Sequence, residues 1–236
     1  MSFVFIGNSH LDQFSCLTLP IENKHIVTAP GASIKGLGNP HSKTNLNGII
    51  SQFVDRSNVF VFHLGQVDFE FGYYYKSALN GVKLDKREFI DQVISIYEKY
   101  LSNLPLRKIV IGLNPTAIND MIHIFRINFL DKDCGESNKR EGTGEFLTEA
   151  NYKDFAHIYN ESIGERNAFL RLANEALTNM CVRLDIPFFD LWPILFNNSK
   201  GELKEEYFTG GSNHHIAIRK ELRDLLFLFL NTNLSI

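Results

Sequence analysis

Short apolar runs recur along the chain, and most of them are nearly continuous rather than alternating with polar residues. Runs of this kind are typical of strands that are covered on both faces of a parallel sheet. The pattern predicts a mainly parallel sheet of about five strands, at residues 3–6, 26–29, 59–64, 109–113 and 187–191.

Between these runs, apolar residues return at spacings of three and four, which is the signature of helices with one buried face. Alternation of strands and helices predicts a three-layer α/β/α sandwich of the flavodoxin-like type, with right-handed crossovers. The helical sets are Phe89, Val93, Ile96, Tyr97 and Tyr100; then Phe169, Leu172, Ala173, Ala176, Leu177 and Met180; and last Ile218, Leu222, Leu225 and Leu226.

The chain of 236 residues is long enough for one large α/β domain, which we expect to span residues 1–236. Residues 131–150 form a polar, glycine-containing segment. We interpret this segment as a loop insertion, and as a possible lid, rather than as a linker between domains.

Composition excludes several classes of partner. A formal net charge of −3 gives no basic excess for nucleic acid or an anionic membrane. The three cysteines are widely spaced and odd in number, as expected of reduced intracellular thiols. No signal peptide is recognisable and no apolar run is long enough to span a bilayer, so we expect a cytoplasmic protein unless the chain was cut from a larger one.

Four short blocks carry the candidate chemistry, and their order along the chain is more informative than any one of them. A hydroxyl after the first strand, glycines after the second and third, and a late histidine are the parts that serine-based acyl transfer needs. The blocks are Gly-Asn-Ser-His at 7–10, Gly-Ala-Ser-Ile-Lys-Gly at 31–36, Gly-Gln-Val-Asp at 65–68 and Ser-Asn-His-His at 212–215.

In these blocks the chain resembles the SGNH (GDSL-like) hydrolases and acyltransferases, and the resemblance spans most of its length. It implies the SGNH hydrolase fold, Ser9 as the nucleophile and His215 as the base. It also implies that the amides of Ser9 and Gly36 form the oxyanion hole.

The third and fourth blocks depart from the family pattern. Val67 replaces the asparagine that supplies an oxyanion donor, and Gln66 substitutes only if its side chain turns inward. Ser212 stands where the family has the aspartate that orients the histidine, so Ser212 is the candidate orienting group. Asp68 matches the last residue of block three, and the alternative is an aspartate that caps a loop.

The single residues also have structural interpretations. Ser9 followed by Asp12 is typical of a helix start in which Ser9 is the N-cap. The glycines of block two are also common turn residues. His214 and His215, taken alone, are also compatible with solvated loop histidines, or with metal ligands that lack visible partners. We list His10 and His214 as accessory residues and expect no metal and no cofactor.

Candidate substrate contacts follow the strands at the same edge. Tyr73, Tyr74 and Lys76 come soon after block three, where aromatic rings would stack on sugar faces and a lysine would pair with an acidic substituent. The alternative is that these aromatic residues pack beneath the loop. Asn114 ends the fourth strand, and Asn8 adjoins Ser9, so both are further candidates for substrate binding.

Two functional classes remain open at this point. One is an esterase, deacetylase or O-acyltransferase that acts through an acyl-Ser9 intermediate on a small-molecule or glycan ester. The other is a catalytically silent module of the same fold that binds a glycan or a protein. The sequence distinguishes neither esterase from transferase nor one oligomeric state from another.

Overall fold

A computed structural model of the chain describes residues 2–11, 24–37, 39, 41–55, 58–129, 149–209, 214–217 and 219–233. The predicted loop insertion lies almost entirely outside the described residues, as does Ser212. Five parallel strands form the central sheet in the order β2-β1-β3-β4-β5. They are β1 (Ser2–Gly7), β2 (Lys24–Thr28), β3 (Asn58–His63), β4 (Arg107–Ile111) and β5 (Phe188–Phe189).

Helices connect the strands, and a small hairpin follows the sheet. The helices are α1 (Ile34–Leu37), α2 (Leu46–Ser51), a π-helix (Val67–Gly72) that runs into α3 (Tyr73–Leu79), α4 (Lys86–Ser102), α5 (Met121–Phe129), α6 (Ile163–Arg183), α7 (Trp192–Leu195) and α8 (Lys220–Asn233), with single 3₁₀ segments at Glu149–Phe155 and Glu205–Tyr207. The hairpin pairs β6 (Phe196–Asn197) with β7 (Glu202–Leu203).

The long helices begin where local capping predicts. Asp85 accepts hydrogen bonds from the amides of Arg87 and Glu88, both at 2.9 Å, and so caps α4. Ser162 and Glu165 form a reciprocal capping box at the start of α6. Both helices carry the apolar spacing that the sequence shows, which fixes the face that each buries.

Successive residues of β1, β3 and β4 enter different cores, because side chains alternate across a sheet. Phe60 and Phe62 of β3 belong to the core beneath α4 and α6, whereas Val59 and Val61 belong to the core beneath α8. This arrangement confirms the three-layer α/β/α architecture and the parallel sheet. The order 2-1-3-4-5 is that of flavodoxin-like folds.

The structure adds elements that the apolar pattern did not indicate. Helix α5 follows β4, and a π-helix rather than a loop follows β3. Strand β5 has two residues instead of the five predicted. None of the described helices combines the length and the apolar composition that a bilayer crossing requires.

Candidate active site

The candidate site lies where β1 and β3 end side by side. β1 pairs with β2 on one side and β3 on the other. The connection from β1 to β2 and the connection from β2 to β3 therefore run in opposite directions across the sheet. Ligands of open α/β sheets bind beyond the carboxyl ends of strands at such a switch point. In the register, Gly7 of block one lies beside His63, two residues before Gly65 of block three. Blocks one and three therefore meet at one edge.

Block one requires a glycine at its start. A Cβ atom on Gly7 would lie 2.7 Å from the carbonyl oxygen of His63 and 2.8 Å from Cβ of Leu11. Since neither the neighbouring strand nor the following turn has room for a side chain, Gly7 allows β1 to pass directly into a helical turn.

Asn8 caps that helical turn. Its Oδ1 accepts a hydrogen bond from the amide of His10 at 2.9 Å, and its carbonyl accepts one from the amide of Leu11 at 2.9 Å. The helical residues begin at Ser9, so the alternative in which Ser9 is the N-cap is wrong. Asn8 is fully buried and caps the turn, so the structure does not support its predicted contact with substrate. Ser9 itself is half-buried at the sheet edge.

Asp68 joins block three to block two. Its carboxylate accepts hydrogen bonds from the amides of Ile34 at 2.7 Å and Lys35 at 3.3 Å, at the start of α1. Burial raises the pKa of the Asp68 carboxyl to about 6, although the two amides act in the opposite direction. Asp68 is therefore a cap for a distant turn, which is the structural alternative that the sequence left open.

Gly36 lies in the turn that Asp68 holds. Its amide donates to Ser33, at 3.1 Å from the carbonyl oxygen and 3.0 Å from Oγ. The amide that the family resemblance assigns to the oxyanion hole is thus engaged within its own turn. It reaches an oxyanion only if this bond opens.

Gln66 does not supply the missing oxyanion donor, and the prediction that it does is wrong for this conformation. Its Nε2 donates to Glu70 Oε2 at 2.8 Å and to the Asn114 carbonyl at 3.2 Å, which uses both amide protons. Its Oε1 accepts from the Asn114 amide at 3.2 Å. Asn114 is fully buried in this network, so the structure does not support its assignment to the substrate pocket either.

The aromatic residues after block three pack into the core, as the structural alternative proposed. Tyr73 and Tyr74 are each 1% exposed, and Tyr74 donates to a carboxylate oxygen of Glu161 at 2.7 Å. The Tyr73 hydroxyl donates to the carbonyl of Leu84 at 2.8 Å. Their predicted stacking on a sugar is therefore wrong. Lys76 is exposed, and its charge acts on Lys35 of block two.

Three histidines from two distant parts of the chain meet at the edge next to Ser9. His10, His214 and His215 each place a ring nitrogen within 4.8 Å of the other two, and we call these residues the histidine cluster. The ring centroids of His10 and His215 are 5.0 Å apart, and those of His214 and His215 are 4.0 Å apart. The structure thus brings block four against the residue that follows Ser9.

Two further histidines and one aromatic ring surround the cluster. His123 of α5 and Phe71 of the π-helix contact His214, with ring centroids at 6.0 Å and 5.4 Å. His63, at the end of β3, is close enough to His10 for its charge to lower the pKa of His10. Phe71 reaches the site from the π-helix, whose turn is wider than that of an α-helix.

Burial keeps the imidazoles neutral. The pKa of His10 lies well below its ordinary value, chiefly through burial and then through the neighbouring histidines. Burial lowers the pKa of His214 and that of His63 to about 4. Neutral imidazole is the form that accepts a proton or binds a metal.

A short stretch of extended chain holds block four in place. Ile216 forms an antiparallel bridge with Phe208, and the amide of Ala217 donates to the Tyr207 carbonyl at 2.8 Å. Thr209 Oγ1 donates to the carbonyl of His215 at 2.7 Å. These bonds fix the backbone of the predicted base.

A cavity of about 350 Å³ opens on the other side of Phe208. Thr116 and Asn119, which follow β4, form one wall. Lys200, Glu202 and Glu205 supply charged groups from the hairpin region. The bridge between Phe208 and Ile216 makes this cavity a neighbour of the segment that carries His215.

Sequence reasoning missed His63, His123 and Phe71 and gave His10 only an accessory role. The available signal was that His10 and His63 each lie at the end of a predicted strand or just beyond it. A comparison of the positions of the eight histidines with the ends of the predicted strands would have pointed to this edge.

Comparisons with known proteins identify the fold. No model of a protein family matches the sequence, and a search of curated proteins finds no match. A protein from Slackia heliotrinireducens described as an SGNH hydrolase superposes with a TM-score of 0.51 at 10% identity, over 100% of this chain and 99% of that one. Because identity is this low, the similarity shows the fold alone: the chain has the SGNH hydrolase fold.

Two other solved structures are similar at lower scores. A GDSL-like lipase from Bacteroides thetaiotaomicron has a TM-score of 0.49 at 13% identity, over 99% of this chain and 87% of that chain. An acetyl xylan esterase has a TM-score of 0.47 at 12% identity, and the match covers 100% of both chains.

Proposed function

We propose that this protein catalyses acyl-ester chemistry through Ser9, with His215 as the base. The observation that carries the proposal is that the histidines of block four pack against His10, the residue that follows Ser9. A serine at the end of β1 and an imidazole nearby are the two parts that nucleophilic catalysis needs first.

The reaction proceeds in two halves. Ser9 Oγ forms a bond to the acyl carbon while its proton passes to His215, and the imidazolium then protonates the leaving alcohol as the ester C–O bond breaks. In the second half, His215 takes a proton from water, or from an acceptor hydroxyl, which attacks the acyl-serine. The acyl group leaves as an acid or as a new ester, and Ser9 recovers its proton.

The oxyanion hole of this proposal is incomplete. The amides of Ser9 and Gly36 are its donors, and the Gly36 amide leaves Ser33 when the oxyanion forms. Val67 carries no donor, and loss of one such donor typically costs about 10²–10³ in turnover. We therefore expect slow hydrolysis.

The substrate that we propose is an ester of a carbohydrate or a related polyol. The cavity of about 350 Å³ beside Phe208 is lined by Asn119, Lys200 and Glu202, whose side chains hydrogen-bond to hydroxyl groups. Its volume is in the range of small-ligand sites.

A catalytically silent module that binds a glycan is the second candidate. The observation that favours it is that the Gly36 amide and both Gln66 amide protons are engaged internally. Such a protein would bind the same polyol without reacting.

Labelling by a fluorophosphonate, together with hydrolysis of p-nitrophenyl acetate, distinguishes the two. We expect labelling of the wild type and of Ser51→Ala, whose serine is exposed, and none of Ser9→Ala. His215→Ala should lower the labelling rate at least about 10³-fold, whereas His41→Ala, at an exposed site, should not. An unlabelled wild type, or full labelling of Ser9→Ala, would exclude serine catalysis.

A further inference from the structure

The histidine cluster contains more imidazole side chains than a serine mechanism requires. One base is sufficient for acyl transfer, yet His10, His214 and His215 each have a ring nitrogen within 4.8 Å of the other two. Two of these residues are consecutive, and their rings lie 4.0 Å apart.

His10 is the clearest indication that the cluster has a ligand. Its side chain is fully buried, and neither ring nitrogen has a hydrogen-bond partner among the residues that the structure describes. A buried polar atom without a hydrogen bond destabilises the fold by roughly 1–3 kcal/mol. Such atoms are therefore rare in native proteins unless the group has another role. A bond from one ring nitrogen to a metal ion would compensate for part of that cost.

The three nitrogens are close enough together for one ion to bind all of them after a small rearrangement. Zn–N bonds of about 2.0–2.1 Å place neighbouring nitrogens about 3.3 Å apart. The observed separations, up to 4.8 Å, therefore need to contract by about 1.5 Å, which is within the reach of side-chain rotation.

The donor set determines the class of metal. Within the described residues, the group holds three imidazoles and neither a carboxylate nor a thiolate. Imidazole suits Zn²⁺, Co²⁺, Ni²⁺ and Cu²⁺, whereas Mg²⁺ and Ca²⁺ prefer oxygen ligands.

We propose that His10, His214 and His215 bind one divalent transition-metal ion of the Zn²⁺ class, with a fourth position left for water. This site replaces the expectation from sequence that the protein has no metal. A consequence follows that, unlike the binding itself, rests on the proposed function: an ion on His215 occupies the base, so the metal inhibits acylation of Ser9.

The test measures binding of Zn²⁺ to the full chain after treatment with a chelator, by calorimetry and by competition with a chromophoric chelator. Co²⁺ spectra report whether the coordination is tetrahedral. We expect one ion per chain for the wild type and for His41→Ala. His214→Ala, at a half-buried site, and His10→Phe should each weaken binding roughly 100-fold or more, and His123→Ala less than about tenfold.

Equal affinity of the wild type, His10→Phe and His214→Ala would overturn the proposal, because the ion would then bind elsewhere. Absence of binding to the wild type would overturn it as well. If His10→Phe does not fold, His214→Ala alone decides. Fluorophosphonate labelling with and without Zn²⁺ separates the two proposals: binding without any labelling contradicts the serine mechanism only, and labelling without binding contradicts the metal site only.

Discussion

Two groups of buried polar side chains lie at the same edge of the sheet and differ in how their hydrogen bonds are satisfied. In the first, Gln66, Glu70 and Asn114 are linked by hydrogen bonds of 2.8–3.2 Å, and both Gln66 amide protons are used. In the second, the histidine cluster, His10 is just as buried and neither of its ring nitrogens has a hydrogen-bond partner in the described part of the chain. The two groups have the same location and similar burial. They differ most at Gln66, whose side-chain amide is fully hydrogen-bonded, and at His10; within the first group, Glu70 Oε1 and Asn114 Oδ1 also lack a partner among the described residues.

The difference separates structure from function. The hydrogen-bonded Gln66 amide stabilises one conformation and leaves no donor for a substrate, which explains why Gln66 is unsuited to an oxyanion. An unsatisfied buried imidazole destabilises the fold but keeps a lone pair for a proton or a metal. Mutations in the first group should therefore change stability, and mutations in the second should change chemistry.

The largest effect that we expect is on stability, from Gln66→Leu. The change leaves the Asn114 amide and the Glu70 carboxylate without their partner, so the free energy of unfolding should fall by about 4 kcal/mol. Chemical denaturation measures this, with the exposed Gln52→Leu as the matched control. The esterase rate per folded molecule should not change; a loss of 10²-fold or so would mean that Gln66 is an oxyanion donor after all.

Asp68 gives a pH-dependent version of the same comparison. Its pKa in the fold, about 6, is above its ordinary value of 3.8, so the stability linked to its protonation is complete below pH 3.8 and is lost as the pH rises through 6. The unfolding free energy of the wild type, minus that of Asp68→Asn, should fall by about 3 kcal/mol across this window. Urea denaturation at several pH values tests this, and a flat difference would contradict the assigned pKa.

A smaller effect is expected at Ser212, which lies outside the described residues. We predict that Ser212→Asp supplies the charge that stabilises a protonated His215 and raises turnover of p-nitrophenyl acetate by roughly tenfold. Ser199→Asp, in an exposed turn, is the control for added charge. If the gain does not appear, another group already orients His215.

The smallest effect should come from His10→Phe, studied with a chelator present. Phenylalanine preserves a ring at this position and removes two unsatisfied nitrogens, so the unfolding free energy should change by less than about 1 kcal/mol or rise slightly. Thermal unfolding measures this. A loss as large as that of Gln66→Leu would show that His10 has a structural partner and would remove the contrast between the two groups.

Patterns along the chain were sufficient for the architecture. The five strands, the order of layers and the helices at 86–102 and 163–183 follow from apolar periodicity, because burial on one or both faces leaves a local signature. The blocks also indicated which edge of the sheet carries the candidate site. The π-helix after β3 and the two-residue length of β5 were not predictable, since they depend on packing against α5 and α6.

The sequence by itself determined the fold class and placed Ser9 after the first strand. Only the tertiary structure decided that Gln66, Tyr73 and Tyr74 are committed internally and that His10 meets His214. The physical reason is that the local pattern of apolar and polar residues does not show which residue, distant in sequence, a side chain hydrogen-bonds to. Whether a polar side chain is satisfied or left open depends on which strands and helices end beside it.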